Sequence, residues 1–439
     1  MVRIALVVLD TLRKDFFDKH FQWLPGIRFE NAWTTSHWTA PAHASLFTGK
    51  YPSEHGVHAK NQKLNVEQAT LPEILTKNGY STRAYSANPN ISPAFNFDRG
   101  FDIFSGNYRV QALQDEVFDW AEFFKMNEGT GPKRYIRALT GCFKNDCKTL
   151  LSVKYGLQMS LQNRGLWSPK DSGVSNARTW LANQNFSSSE FVFINLMEAH
   201  TPYDEIPKEA QTHLDYSPPS ELGLENKESP PDASVKTAYD DAAEYLSQKY
   251  KDIFEKLADD MDYVITIADH GELLGEHGYW GHDYGLYPEL IKVPLVVYDG
   301  SSKDKKRDDI TSLLDVHKTI LDIADVDNQH SRGRHLLKDK EPVPRLIEGH
   351  GLRERRKAKL ISDGFNPEPY DTQLRGIIHP PSNYGYQTNE KWVVENGKSE
   401  NLKKSLDKIV EDLDTKETGS ADVEISEGTL QQLRDMGYA

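Results

Sequence analysis

The sequence predicts a doubly wound α/β fold, a large mostly parallel sheet flanked by helices. Short apolar, β-branched runs recur at Ile4–Leu9, Phe191–Met197, Tyr263–Ala268 and Val293–Tyr298, each bounded by polar or turn residues. Runs that are apolar throughout suit strands covered on both faces, as in a parallel sheet. Amphipathic helical patterns lie between them, and strands alternating with helices make an α/β domain. The chain has 439 residues and 38% hydrophobic content, enough for one large domain with a smaller appendage.

In chain order, Ile4–Leu9 reads as the first buried strand. It is too short for a signal h-region and lacks a small-residue cleavage site. Leu71–Tyr80 reads as a short helix closed by Gly79. Residues 106–180 are charged, aromatic and helical in pattern, and read as an insertion. Residues 204–235 carry Pro207, Pro218, Pro219, Pro230 and Pro231 and read as a loop placed to cover a site. From Lys236 to Met261, apolar residues at Ala238, Ala242, Tyr245, Leu246, Tyr250, Ile253, Phe254 and Leu257 mark a long amphipathic helix. It leads into the strand before Asp269. Leu313–Ile323 is a further helix. Beyond residue 345 the pattern changes: Leu374–Ile378 and Lys391–Glu395 read as strands of a small sheet, Leu402–Leu413 as a helix, and Leu430–Tyr438 as the tail. The division expected is 1–345 for the catalytic α/β domain and 346–439 for a small α+β subdomain.

The formal net charge is -14, which argues against a nucleic-acid partner. The two dense basic runs, Lys303–Arg307 and Arg353–Lys357, are interrupted by acids and read as solvated faces. Surface acidity of this kind also suits a salty cytoplasm. Two cysteines, Cys142 and Cys147, are too few for a disulfide framework and are expected as free thiols. No stretch is long and apolar enough to span a membrane. The expectation is a soluble, cytoplasmic protein.

The chemistry gathers at strand ends. Asp10 directly follows the first strand, where open α/β sheets bind their ligands. A helix cap is the alternative use for it. Asp269-His270 follows another strand, with Gly271 allowing close backbone approach. Carboxylate with imidazole suits zinc, manganese or a similar ion. Glu272, Glu276, His277 and His282 crowd the same stretch. Upstream, Thr39 and His43 flank Pro41, which suits a first helical turn. Thr39 is thereby expected just before the helix N-terminus, where an anion is favoured. Taken alone, its hydroxyl reads as a cap.

These segments resemble the sulfatase branch of the alkaline-phosphatase superfamily, over most of the chain. Val8–Asp15 resembles the first metal-binding strand end. Thr39-Ala40-Pro41-Ala42-His43, with Leu46–Pro52 behind it, resembles the signature around the nucleophile. Asn195–Tyr203 resembles the substrate-histidine motif, Asp269–His282 the second metal motif, and Leu430–Tyr438 the usual tail. The resemblance implies an alkaline-phosphatase-like fold. It implies one divalent metal (calcium, manganese or zinc) on Asp10, Asp269, His270 and Thr39 Oγ, with His43, His200 and His282 meeting the substrate. A second metal is conceivable, with His55, His58, Glu198 and Asp204 as loose candidates.

The departures carry information. Thr11 stands where many sulfatases place a second Asp, His43 where arginine is usual, and His282 where lysine is frequent. Thr39 stands where sulfatases carry the cysteine or serine that becomes formylglycine. Threonine cannot supply that aldehyde, so no formylglycine is expected. An alkoxide of Thr39 can still attack phosphorus and pass through a covalent threonine intermediate. The expected activity is hydrolysis, or transfer, of a phosphodiester or phosphonate-like ester. The alternatives are a true sulfuric-ester hydrolase acting on a sulfated carbohydrate or small molecule, and a non-catalytic metal-binding scaffold. The substrate expected in each catalytic case is a small-molecule or carbohydrate-linked anionic ester.

Overall fold

The computed structural model describes residues 2–111, 113–114, 117–120, 123, 140, 142, 147–162, 166, 170–212, 233–301, 304–327, 330–338 and 341–416. Its strands are β1 (Arg3–Leu9), β2 (Ile27–Phe29), β3 (Ala32–Trp33), β4 (Ser81–Ser86), β5 (Ile103–Gly106), β6 (Glu190–Leu196), β7 (Tyr263–Ile267) and β8 (Leu273–Leu274). There follow β9 (Trp280–Gly281), β10 (Leu295–Tyr298), β11 (Lys305–Arg307), β12 (Thr311–Ser312), β13 (Arg345–His350), β14 (Gln373–His379), β15 (Asn383–Gln387) and β16 (Trp392–Val394).

The main sheet has eight strands in the order β11-β2-β10-β7-β1-β6-β4-β5. β1 lies at its centre and pairs in parallel with β6 on one side and β7 on the other. From Ile4 to Leu9 every side chain of β1 is buried, the pattern of a strand covered on both faces. The sheet is mostly parallel, as the apolar runs imply. β10 is the exception, antiparallel to both β7 and β2. An apolar run establishes a buried strand and says nothing of its direction.

Helices flank the sheet in two groups. Lys14–His20 and Val174–Ala182 each pack on Ala233–Asp260, and Thr39–Thr48, Leu71–Lys77 and Leu313–Ile323 form the second group. The long helix runs from Ala233, three residues ahead of the sequence expectation, and buries Tyr239, Leu246, Tyr250 and Leu257. Capping explains the shorter helices. Thr70 and Ser312 open theirs with capping boxes closed by Glu73 and Asp315.

A second, antiparallel sheet of four strands, β13-β14-β15-β16, follows, with the helix Ser399–Glu411 packed on it. Glu348 of β13 ties this sheet to the main domain. Its backbone N–H donates to the Thr35 carbonyl at 2.9 Å, and its carboxylate accepts from the Ser53 N–H at 2.9 Å. Cys142 and Cys147 are free thiols, Cys142 buried. Within 106–180, the described helices are Tyr108–Gln111, Thr149–Gln162 and Val174–Ala182. Much of that insertion, residues 213–232 of the loop and the tail Leu430–Tyr438 lie outside the described residues. Among the described residues, no helix is long and apolar enough to cross a membrane.

Candidate active site

Four neighbouring strands, β7, β1, β6 and β4, run in parallel, so their carboxyl ends share one edge. Asp10 follows β1, Asp269 and His270 follow β7, Asn195 is the penultimate residue of β6, and Asn88 stands just beyond β4. Asp10, Asp269 and His270 are fully buried and each offers one ligand atom, all within 4.8 Å of one another.

Neither acid caps a helix. Asp10 Oδ1 accepts from Thr11 Oγ1 at 2.8 Å. Its Oδ2 accepts from Asn88 Nδ2 at 2.8 Å and from Asn195 Nδ2 at 3.2 Å. Asp269 Oδ1 accepts from the Thr11 N–H at 3.1 Å and the His270 N–H at 2.9 Å. Thr11 therefore bridges the two carboxylates. It does so from the left-handed region, φ 63°, a strained conformation for a β-branched residue. The Tyr239 hydroxyl holds it there, donating to the Thr11 carbonyl at 2.7 Å.

Asp269 Oδ2 is buried with no hydrogen-bond partner among the described residues, 3.4 Å from His270 Nε2. Burial, and then the charge of Asp10, push the Asp269 carboxyl well above its ordinary range. An orphaned carboxylate oxygen, a second buried carboxylate and an imidazole nitrogen form a donor set for a divalent ion, whose charge would relieve that repulsion. The residues present fit the metal that the resemblance implies.

Thr39 is not the cap of its helix. The helix spans Thr39–Thr48, Trp38 holds the cap position, and no side-chain cap hydrogen bond forms. The segment turns helical one residue earlier than the threonine suggests, so the hydroxyl is free to point elsewhere. Thr39 Oγ1 donates to His270 Nε2 at 3.2 Å, directly beside the buried acids.

The histidines share one arrangement. Nδ1–H donates to a main-chain carbonyl in His37 (His282 O, 2.7 Å), His43 (Thr39 O, 3.0 Å), His200 (Thr201 O, 2.6 Å) and His270 (Gly271 O, 2.8 Å). A carbonyl can only accept, so each of these nitrogens carries the proton. In His270 the lone pair is left on Nε2, facing Asp269 and Thr39. His282 Nδ1 instead donates to the Glu272 carboxylate, at 2.9 Å from Oε1. Burial holds His43, His200 and His270 below the ordinary imidazole range. Burial pulls His282 the same way, and the Glu272 carboxylate outweighs it, raising the pKa.

His200 and His282 meet ring to ring, centroids 5.1 Å apart, and His282 lies 4.6 Å from the His270 ring. His43 is placed differently from the expected substrate contact. It is fully buried, and its Nε2 accepts from Asn195 Nδ2 at 2.9 Å. With both nitrogens taken by protein groups, it braces Asn195 and the first turn of the Thr39 helix. The loose candidates for a second metal do not assemble. His55 lies against Ser45 Oγ at 3.2 Å, His58 stacks on His350, Glu198 accepts from the Val174 N–H, and Asp204 is exposed. Among the described residues, Asp10, Asp269 and His270 form the one cluster able to hold an ion.

Asn88, Tyr239 and the Glu272 side chain are contributors that sequence reasoning did not assign. Asn88 stands just past β4, whose mixed sequence is not an apolar run and does not read as a strand, so its place at a strand end is not marked. Tyr239 lies in mid-helix and gives no local sign.

The sulfatase family model matches residues 19–326, well over half of the chain. The chain belongs to the sulfatase family. Asp10 lies ahead of the matched span. This sulfatase-family chain is 21% identical over 363 residues to an uncharacterised sulfatase, YidJ, of Escherichia coli, covering 74% of the chain and 66% of the relative. It is 22% identical over 350 residues to the N-acetylglucosamine-6-O-sulfatase of Bacteroides thetaiotaomicron, covering 69% and 62%. It thus spans just under two thirds of the length of these curated relatives. Among solved structures, the phosphonate monoester hydrolase SpPMH from Silicibacter pomeroyi superposes with a TM-score of 0.60 at 15% identity, covering 94% of this chain and 95% of that one. The alkaline-phosphatase-like fold inferred from the sequence is the fold observed.

Proposed function

We propose that this sulfatase-family chain is a metal-dependent ester hydrolase with Thr39 as its nucleophile, acting on phosphoesters of the phosphodiester or phosphonate-like kind. The observation that carries this reading is the direction of the Thr39 hydroxyl. It leaves the helix end uncapped and lies 3.2 Å from His270 Nε2, beside the buried cluster of Asp10 and Asp269. Asp10, Asp269 and His270 would hold a divalent ion with Thr39 Oγ, and that ion would lower the hydroxyl pKa and polarise the ester oxygen.

Thr39 Oγ gives up its proton to solvent and forms a bond to phosphorus as the ester P–O bond breaks. The departing oxygen takes a proton from His282 or His200. Water then attacks the threonine-bound phosphoryl group, the Thr39 Oγ–P bond breaks, and the hydroxyl is restored. An acceptor alcohol in place of water would make the same reaction a transfer. His43 and Asn195 hold the nucleophile's helix and Asp10 in register throughout.

The family membership and the N-acetylglucosamine-6-O-sulfatase relative favour a second reading, sulfuric-ester hydrolysis on a sulfated carbohydrate with threonine acting directly. Aryl sulfate, aryl phosphate and bis-aryl phosphate, each with added manganese, zinc or calcium, separate the readings. Phosphoester turnover is expected, with a phosphorylated Thr39 peptide in the quenched reaction. Thr39→Ala should lower kcat at least about a thousandfold. Turnover of the sulfate alone would overturn the phosphoester reading, and no turnover with any metal would favour a scaffold.

A further inference from the structure

We propose that Glu272 is a positioning residue for His282, holding its ring so that Nε2 is turned to the leaving-group side of the site. The inference rests on the reading above, in which His282 meets the leaving oxygen.

The hairpin of β8 and β9 sets the pair. Leu273 lies opposite Gly281 and Leu274 opposite Trp280. Continued by one residue, the same register places Glu272 opposite His282, and directly opposed residues are the ones whose side chains meet. The contact is made, with His282 Nδ1–H donating to Glu272 Oε1 at 2.9 Å. Gly281, the residue before His282, has a φ of 75°, which glycine adopts without strain.

Glu272 is fully buried, and its Oε2 has no hydrogen-bond partner among the described residues. A carboxylate taken out of water against a single partner is costly to keep. The return on that cost is orientation. With Nδ1 committed to Glu272, Nε2 is the nitrogen left to face the substrate. The main chain of His282 is fixed as well, since its carbonyl accepts from His37 Nδ1–H at 2.7 Å. The next residue, Asp283, is gripped by Arg353 and Arg356 from beyond β13. The ring is thereby anchored at its backbone and at one nitrogen, next to His200 and His270.

A group that protonates a leaving oxygen matters most when the oxygen leaves badly. The test compares Glu272→Leu, Glu272→Gln, His282→Ala and the double variant His282→Ala/Glu272→Leu on aryl phosphonate or phosphodiester substrates, from nitrophenyl to unactivated phenyl leaving groups. Circular dichroism and metal stoichiometry establish that each variant is folded and loaded. Glu272→Leu is expected to lose about a hundredfold in kcat on the poorest leaving group, little on nitrophenyl, with KM nearly unchanged. Glu272→Gln keeps an oxygen opposite Nδ1 and should recover most of the loss. The double variant should be no worse than His282→Ala, as for residues acting as one unit. Equal losses across leaving groups, or additive losses in the double variant, would overturn the proposal. A nitrogen-15 imidazole spectrum gives a readout independent of turnover: His282 should carry its proton on Nδ1 and lose that preference in Glu272→Leu. If the wild type turns over no ester, the activity reading fails by itself, and an unchanged His282 tautomer in Glu272→Leu would then sink the Glu272 proposal too.

Discussion

Glu198 stands two residues before His200 with only half of its carboxyl accounted for. Oε1 accepts from the Val174 N–H at 2.7 Å, and Oε2 is buried without a hydrogen-bond partner among the described residues. Burial, and then the nearby charge of Asp171, push its pKa up to about 8. The folded state therefore holds a proton that the unfolded chain releases near pH 4.5. Its contribution to stability is fully present below that value and is lost as pH rises through about 8. Glu198→Gln should remove this loss between about pH 4.5 and 8, which steepens to about 1.4 kcal/mol per pH unit for one group. Urea unfolding midpoints across that range test it, and an equally steep fall over the same range in the variant would refute the assignment. At this scale the sequence was legible wherever a side chain's partners are near in the chain or its place follows from a strand end. Asp10, Asp269 and His270 were readable for that reason. The direction of Thr39 was not, because its hydroxyl bonds to a residue 231 positions away. The Tyr239 clamp on Thr11 spans 228 positions and was equally hidden.

The loop after β7 depends on one glycine for steric room rather than for turn geometry. A Cβ on Gly271 would lie 2.0 Å from the Glu289 carbonyl oxygen, in a backbone that has no flexible end to yield. The Gly271 N–H also donates to the Leu290 carbonyl at 2.7 Å, so the loop and the Pro288–Ile291 helix are fixed to each other. His270 hangs its Nδ1–H on the Gly271 carbonyl. Gly271→Ala is therefore expected to destabilise by about 2 kcal/mol or more, the range of an overpacked core. It should also weaken divalent-metal affinity, because His270 turns with the loop. Calorimetric metal titration beside thermal unfolding tests both, and unchanged metal affinity in a destabilised variant would separate the loop from the site. The apolar strands β1, β6, β7 and β10 were legible from apolar pattern, as was the helix Leu313–Ile323, which the structure matches at both ends, whereas the mixed strands β4 and β5 and the short strands were not. Burial period fixed their type. The reversal of β10 was not legible, since direction is decided by which neighbours pair with it.

The whole molecule joins its two sheets through a buried apolar cluster, in which Trp33, Leu286 and Tyr287 pack with Ile347, Ile378 and Tyr384, and through polar ties such as Glu348, whose backbone and carboxylate bind Thr35 and Ser53. The main sheet itself is assembled from distant sequence. β1, β6 and β7 lie side by side yet begin at residues 3, 190 and 263. Pairings of such separation come late in folding, because the loop entropy of closing them must be spent before contacts return it. A chain emerging from the ribosome thus carries Asp10 and Thr39 with nothing to complete them until residues 269 and 270 have been made. On the proposed metal reading, an ion held by Asp10, Asp269 and His270 would lock the fold once formed rather than nucleate it. Divalent metal should slow unfolding and leave the refolding rate unchanged in stopped-flow urea jumps. Faster refolding with metal would place the site in the folding nucleus instead. If the metal reading holds, apo chains should accordingly fold first and be charged with metal afterwards, and the supply of the ion would be a step of maturation separate from synthesis.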